Sequence, residues 1–465
     1  MNVITTSIKQ YMPRLWKISV PIIIEQVFIT VMGLVNTAMI STLGDSALSA
    51  AGMIDNISNI VIAVFAALTT GGAIVVAQHV GAGDRHGASS AAAQSVVMSL
   101  GISLCLFTVF LVFRRQVIYG LFGAAAPDVH TYGNQYFFII NFSYPVLAVI
   151  ETIFASLRGS GNTRVPMMIS LGMNVFNFIF GYIFIIGVNL PFLHTHSLGV
   201  AGGACSLLIA RALGMCAALF YILKKSTTIR FGGIKFFKPN WKVMKSVLGF
   251  GLPTGVESML FQAGRLITQL FIIGMGTAAL AANTVAGNIN GFINVPGNSF
   301  TTGTMIVIGQ MIGEGRASEV KKASFFSVFF GMAIMGVLCV AVYPLIGGLG
   351  RLYNLDGDSF RYFSQLLGTC LIVTPFIWPV SFVTPAALRA SSDVKYTMVI
   401  AVASMWAFRI VVGYILGVHF NLGPVGVWVG MYVDWVVRGV MFVTRFTSGR
   451  WRRNAKVHEL EGVAE

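Results

Sequence analysis

The sequence predicts an all-α, polytopic membrane protein of twelve transmembrane helices arranged as two parallel six-helix repeats. Three observations carry that expectation: a strongly apolar composition, apolar runs of membrane-spanning length, and a self-match that holds register through most of each half.

Of 465 residues, 56% are hydrophobic and 10% are charged, with a mean hydropathy of +0.79. Water-soluble chains are about a quarter charged, whereas a hydrocarbon layer of roughly 30 Å asks for helical runs of about 20 apolar residues. Such runs lie near residues 17–43, 49–78, 91–113, 133–156, 167–189, 199–223, 246–272, 279–311, 323–348, 361–387, 397–419 and 424–446. The first follows Lys9, Arg14 and Lys17 but is too long for the apolar region of a signal peptide, so it reads as a first membrane helix.

A formal net charge of +15 raises the question of nucleic acid or another anionic partner. Position answers it. With both termini in the cytoplasm, 23 of the 31 Lys and Arg fall in cytoplasmic segments, 4 in external loops and 4 inside helices. That is the positive-inside distribution of an inner (plasma) membrane protein, with no nucleic acid called for. The densest runs, Lys224 to Lys245 and Arg445 to Lys456, sit beside anionic headgroups. The five cysteines lie in apolar runs without CxxC spacing and read as small buried hydrophobes.

Displacing the sequence by 232 residues aligns Pro21 with Pro253, Glu25 with Glu257, Asn56 with Asn288, Gly71 with Gly303 and Gln78 with Gln310. Leu157-Arg158 is echoed one residue out of register by Leu388-Arg389, and extra residues around His194 and His196 shorten the later offset. Six helices per copy return each half to the same side, which makes the repeats parallel and commonly puts the substrate path at their interface. The expected segments are a first half over 1–223, a basic cytoplasmic linker and hinge over 224–245, a second half over 246–446 and a basic tail over 447–465.

Ionisable groups inside a bilayer cost about 3 kcal/mol each and ask for a partner, a cavity or a task. The acids here are Glu25, Asp55, Glu151, Glu257 and Asp434; the bases are Arg211, Arg265, Arg409 and Arg438. Asp434 and Arg438 at i, i+4 read as an ion pair, structural or functional, with Arg409 as a third member of the network. The base nearest Glu257 on its own helix, Arg265, is two turns away, so Glu257 reads as a protonatable acid in a cavity. Asn36, Asn177, Gln262 and Asn288 add polar points within the spans. No GxxxxGK, HExxH or GxSxG occurs, and the glycines from Gly81 to Gly87 join two apolar helices without a preceding strand, which is a tight turn. An enzyme is not expected, since Asp84, Asp356, Asp358 and Asp393 are scattered.

The segments "GLVNTAMISTLGDSALSA", "GGAIVVAQHVGAGD", "LRGSGNTRVPM" and "GLPTGVESMLFQAGRLITQLF" resemble the multidrug and toxic compound extrusion (MATE) family over nearly the whole chain. The C-terminal "SMWAFRIVVGYILG" and "GVWVGMYVDWVVRG" further resemble an enterobacterial-type branch. The resemblance implies a V-shaped, pseudo-twofold antiporter, expected to work as a monomer. It would export organic, often cationic or aromatic compounds by alternating access, coupled to entering H⁺ or Na⁺ and without a resident cofactor. The chain departs from the family pattern where Asn36 stands at the first-helix acid position and Trp378 near the tenth-helix acid position. Coupling is therefore assigned to Glu257, then Glu25, then Asp434. The substrate cleft is assigned to Asn36, Asn177, Gln262, Arg265, Asn288, Trp378 and Arg409. H⁺ is favoured over Na⁺ because neither Glu257 nor Glu25 has a second acid on its helix to complete an oxygen cage. The alternative is a lipid-linked precursor flippase of the same superfamily, which would want a cationic cleft.

Overall fold

The structure is a computed structural model that describes residues 2–123, 126–190, 193–195, 197–231 and 233–453. His196, Lys456 and the rest of the tail from residue 454 lie outside the described residues, as does the side chain of Lys235.

Twelve long helices succeed one another among the described residues: α1 (Asn2–Ser41), α2 (Asp45–Gly81), α3 (Arg85–Val112), α4 (Pro127–Gly159), α5 (Arg164–Ile186), α6 (Val200–Lys225), α7 (Trp241–Ile273), α8 (Thr277–Gly313), α9 (Val320–Leu352), α10 (Gly357–Ala390), α11 (Val394–His419) and α12 (Gly423–Thr447). Ten are long and apolar enough to cross a membrane. The other two, α7 and α8, have the length, 33 and 37 residues, but Glu257, Gln262, Arg265 and a series of asparagines dilute their hydropathy. In hydrocarbon a helix satisfies its own backbone N–H and C=O groups, which is why apolar runs of this length take that form. The outward faces agree: Val337, Val340 and Phe325 on α9 are 71%, 74% and 68% exposed, a surface suited to lipid and not to water. One departure from the all-helical pattern is a short antiparallel hairpin between α5 and α6 that pairs Val188 with Thr195 and Asn189 with His194.

The helices pack into two compact units. One comprises Ile24–Val80 and Asp84–Leu252; the other comprises Met1–Ile23, Gly81–Gly83 and Pro253–Glu465. We call them the first and second unit. Their edges depart from the sequence halves: the start of α1 packs into the second unit and the start of α7 into the first. Glycines at repeat-equivalent positions make this possible. In the first unit a Cβ at Gly71 would run into the Val247 carbonyl and lie 2.8 Å from Gly251 N, while in the second a Cβ at Gly303 would meet the Ser19 hydroxyl and lie 3.3 Å from Leu15 Cδ1. Leu15 and Ser19 are the repeat counterparts of Val247 and Gly251, so the same crossing is built twice with the first-helix segments exchanged. Small residues that let backbones approach are the usual means of close helix contact in lipid.

The 224–245 linker is pinned. Gln94 of α3, 1% exposed, donates through Nε2 to the carbonyls of Phe236 (2.9 Å) and Lys238 (2.8 Å) and accepts from Asn240 N–H at 3.0 Å. The 81–87 segment is the tight turn its glycines suggest: Gly83 has φ +77°, a conformation glycine adopts without strain. Asp84 then caps α3 by accepting from Gly87 N–H at 2.8 Å and contacts His79 Nδ1 at 2.8 Å.

Candidate functional site

Each unit encloses a polar cavity of its own. In the second unit a cavity of about 400 Å³ lies among α7, α8, α10, α11 and α12. From α7 it receives Phe261, Arg265, Thr268, Gln269 and Ile272, which recur at i, i+4, i+7, i+8 and i+11 and so form one helical face. From α8 it receives Asn283, Asn290, Asn294 and Asn298, with Gly287 and Gly291 between them on the same face. Gln262 and Asn288 do not line it, because each falls off these stripes. Trp378 of α10 does, stacked on Phe382 with centroids 4.6 Å apart and planes at 17°. A side chain at Gly297 would strike the Trp378 ring.

Arg409 reaches the same cavity from a π-helical stretch of α11, Met405–Ile410. Such a stretch widens the helix and resets the facing of the residues after it, and it recurs at functional sites. Gly430 of α12 sits where a Cβ would lie 2.9 Å from the Arg409 carbonyl and 2.7 Å from Gly413 Cα, so α11 and α12 touch backbone to backbone. The Arg409 guanidinium stands 5.4 Å from the Phe261 ring centroid. Arg438 stands 4.6 Å from that of Phe382. Asp434, fully buried, pairs with Arg438 at 3.1 Å and accepts from the Ser404 hydroxyl. Arg409 belongs to this network through the charges of Asp434 and Arg438 and not through a direct contact: it stacks on Phe261, and among the described residues it forms no ion pair.

Glu257 does have a close base, and the expectation that it stands apart from one is overturned. Arg389 of α10 donates to Glu257 Oε1 at 2.6 Å. In the first unit Arg158 of α4 donates to Glu25 Oε1 at 2.7 Å. The two pairs are repeat equivalents. Both arginines belong to helix ends, where they neutralise acids, and not to loops as the charge count assumed. The other carboxylate oxygens, Glu25 Oε2 and Glu257 Oε2, are buried without a protein partner.

The first unit's cavity, about 320 Å³, lies among α1, α2, α4, α5 and α6 and is lined by Asn36, Thr37, Asp55, Tyr136 and Ser206 together with apolar side chains. Asn177 is one hydrogen bond behind this lining, its Oδ1 accepting from Ser206 Oγ at 3.1 Å. Asp55 is the acid that lines the cavity, and among the described residues its carboxylate has no ion pair and no hydrogen bond. Arg211, a base of the same unit, donates instead to Ser143 Oγ at 2.5 Å.

The structure thus gathers Arg265, Trp378 and Arg409 in one cavity and Asn36 in the other. Asn283, Asn290 and Asn294 of the α8 stripe are legible in the sequence as polar points of that helix, with interhelical hydrogen bonding as their expected role, whereas Asn298 and the aromatic residues Phe261, Phe382, Trp428 and Trp435 are not singled out by it, although the helical recurrence of the four asparagines is a signal.

Beyond the spans, Arg316 donates to both Glu319 oxygens (2.8 and 2.9 Å) and contacts Glu314 at 3.3 Å. These hydrogen bonds hold the Glu319 carboxyl below its ordinary range and raise the Arg316 guanidinium. At Asp84 partial burial pushes the carboxyl up, but the Gly87 N–H and His79 outweigh it, and the net shift is downward.

The family model MatE matches the chain twice, over residues 21–183 and 253–415, two segments of equal length displaced by the same 232 residues as the internal repeat. Among proteins of similar sequence, the "Uncharacterized transporter YisQ" of Bacillus subtilis is 27% identical over 440 residues, 94% of each chain. The "Probable multidrug resistance protein NorM" of Thermotoga maritima is 24% identical over 464 residues, 96% of each chain. Among solved structures, "Crystal structure of MATE in the bent conformation" superposes with a TM-score of 0.85 at 20% identity, over 98% of each chain. With one MatE unit in each half and the twelve-helix fold shared end to end, this chain belongs to the MatE family, the multidrug and toxic compound extrusion transporters.

Proposed function

We propose that this protein is a proton-coupled antiporter that exports organic compounds from the cytoplasm by alternating access, as a monomer with both termini cytoplasmic. The names of its relatives, among them probable multidrug resistance proteins, support the substrate class, and the Lys and Arg distribution supports the orientation. The observation that carries the coupling reading is Asp55. It is a carboxylate without an ion pair among the described residues, facing a cavity from α2 opposite the titration-incompetent Asn36 of α1. Glu25, Glu257 and Asp434, the acids favoured from sequence, each hold an arginine within 3.1 Å, so their charge is already matched by the protein itself. They fit better as fixed charges of the scaffold.

A single carboxylate suits a proton better than Na⁺, which requires several oxygens around it. No cluster of three His, Cys, Asp or Glu side chains occurs among the described residues. The energy is sufficient: one charge crossing 100 mV supplies about 2.3 kcal/mol, a concentration ratio of roughly 50. The test is efflux of a panel of organic ions from proteoliposomes under separate H⁺ and Na⁺ gradients. Asp55→Asn should abolish H⁺-driven efflux while leaving substrate binding. H⁺-driven efflux that persists in Asp55→Asn, or efflux driven by Na⁺ alone, would overturn the assignment. A flippase of the same superfamily is the second reading, favoured by the guanidinium groups of Arg265 and Arg409 in the second unit's cavity.

A further inference from the structure

We propose that the cavity of the second unit is a binding site for an organic anion with a flat apolar body, an aromatic carboxylate or sulfonate, or a phosphate on a lipid. The proposal rests on the export reading for its physiological meaning but concerns binding, which is measured separately.

Charge is the first argument. The acids near this cavity are already matched, Glu257 by Arg389 at 2.6 Å and Asp434 by Arg438 at 3.1 Å. No acid lines it, whereas Arg265 and Arg409 do. Neither has an ion pair or a side-chain hydrogen bond among the described residues, and Arg409 Nε is buried without a partner. The acid whose charge reaches Arg409, Asp434, is already paired with Arg438, so positive charge is in excess here, which is costly inside the membrane unless something arriving there supplies the counter-charge. Stacking of Arg409 on Phe261 holds the group in place while leaving its charge in force.

Hydrogen-bond polarity is the second. Asn283 Oδ1 is occupied by Trp428 Nε1 at 2.9 Å, and Asn290 Oδ1 by Asn294 Nδ2 at 3.2 Å and Cys370 Sγ at 3.3 Å. The acceptors of these two asparagines are used internally, which leaves their amide donors to the cavity. Trp435, 3% exposed, lines it with an indole N–H that meets no protein acceptor. One buried acceptor, Asn294 Oδ1, stands against this set of donors. Donors in excess beside two guanidiniums suit a carboxylate, sulfonate or phosphate, which accept several bonds at once.

Shape is the third. A volume of about 400 Å³ falls in the range of small-molecule sites, and Phe261, Trp378, Phe382 and Trp428 supply ring faces for a flat body.

The experiment uses the full chain in lipid nanodiscs and calorimetric titration with two ligands of one body and opposite charge, 2-naphthoate and 2-naphthyltrimethylammonium. The expected result is naphthoate binding tighter by about tenfold, with Arg265→Gln and Arg409→Gln each weakening it by about tenfold and the double variant losing the preference. Arg409→Lys should retain most of the affinity, which separates lost charge from lost packing. Tighter binding of the cation, equal binding of both, or naphthoate affinity unchanged in the double variant would overturn the proposal. Competition by a polyprenyl phosphate assigns the anion to a lipid headgroup and its failure assigns a soluble anion; either keeps the site. If the anion binds as expected but no ion gradient moves it from proteoliposomes, the export reading fails and the site stands. If a cation is exported and the double variant leaves that export unchanged without any anion binding, the export reading stands and the site fails.

Discussion

Glu257 and Arg389 meet at 2.6 Å across α7 and α10, and the same pair recurs as Glu25 and Arg158 at 2.7 Å across α1 and α4. The two halves thus share an ion pair at equivalent points of the scaffold. Glu25 is the more deeply placed, 2% exposed against 13% for Glu257. Removing one member strands a charge in low dielectric, whereas removing both does not. Arg158→Gln should therefore destabilise the fold in detergent more than Arg389→Gln, by about 4 against about 3 kcal/mol, with the lower unfolding midpoint in Arg158→Gln. The doubly neutral Glu25→Gln/Arg158→Gln should recover much of the loss. A double-mutant cycle with no coupling in either pair would refute the shared role.

Asn36 and Asp55 line one cavity from adjacent helices, so a carboxylate moved between them stays in the same space. Asn36→Asp in an Asp55→Asn background should restore H⁺-driven efflux to within about tenfold of the parent, given that a displaced proton acceptor works at lower efficiency. The pH dependence of efflux reports it. No recovery, in a variant that still binds substrate, would show that position 55 itself is required.

The repeated glycine crossing is not symmetric in its neighbours. Gly71 faces the backbone of Val247 and Gly251, which cannot yield, while Gly303 faces the Ser19 hydroxyl and one Leu15 methyl, which can turn away. Gly71→Ala should destabilise by about 3 kcal/mol and Gly303→Ala by about 1 kcal/mol, the two ends of the overpacking range. Thermal unfolding of the two variants gives the order directly.

Gln94 alone satisfies three backbone groups of the linker. Gln94→Leu leaves them unpaired at a cost of about 1 kcal/mol each. Trypsin should then cut the lysine-rich 224–245 segment faster by about tenfold or more, with the helices intact, and an unchanged cleavage rate would contradict the pinning.

Glu319 carries a carboxyl lowered by its hydrogen bonds to Arg316. A group whose folded value is lowered contributes stability that is present above the unfolded value, about 4.3, and is lost as pH falls through the folded one. Acidification from pH 6 to pH 3 should therefore remove a small increment of thermal stability that Glu319→Gln lacks at every pH. The slopes of midpoint against pH in the two proteins make the comparison.

Much of this was legible without coordinates. A hydrocarbon solvent demands long apolar helices, and twelve runs gave twelve helices. The duplication showed in paired glycines and in Glu25 and Glu257, and even Arg158 and Arg389 were visible as echoes. What was not legible is that each echoed acid meets its echoed base: 133 and 132 residues separate them, and periodicity within one helix is silent about which neighbour faces it. Hence Glu257 read as unpartnered. Asn288 looked equivalent to its neighbours on α8, but five residues from Asn283 turn a helix by about 140° beyond a full circle, and it faces elsewhere. Arg409 required the π-helical stretch to be aimed.

By itself, then, the sequence determined the solvent, the helix count and the repeat, because these depend on hydropathy, length and identity, which are properties of the chain read in one dimension. Tertiary structure alone decided which acids meet a base, Glu25, Glu257 and Asp434, and which charges line the cavities, Asp55 in one and Arg265 and Arg409 in the other. Side-chain charge in a low dielectric is set by what lies within a few ångströms in space, and that distance is fixed only when the helices pack.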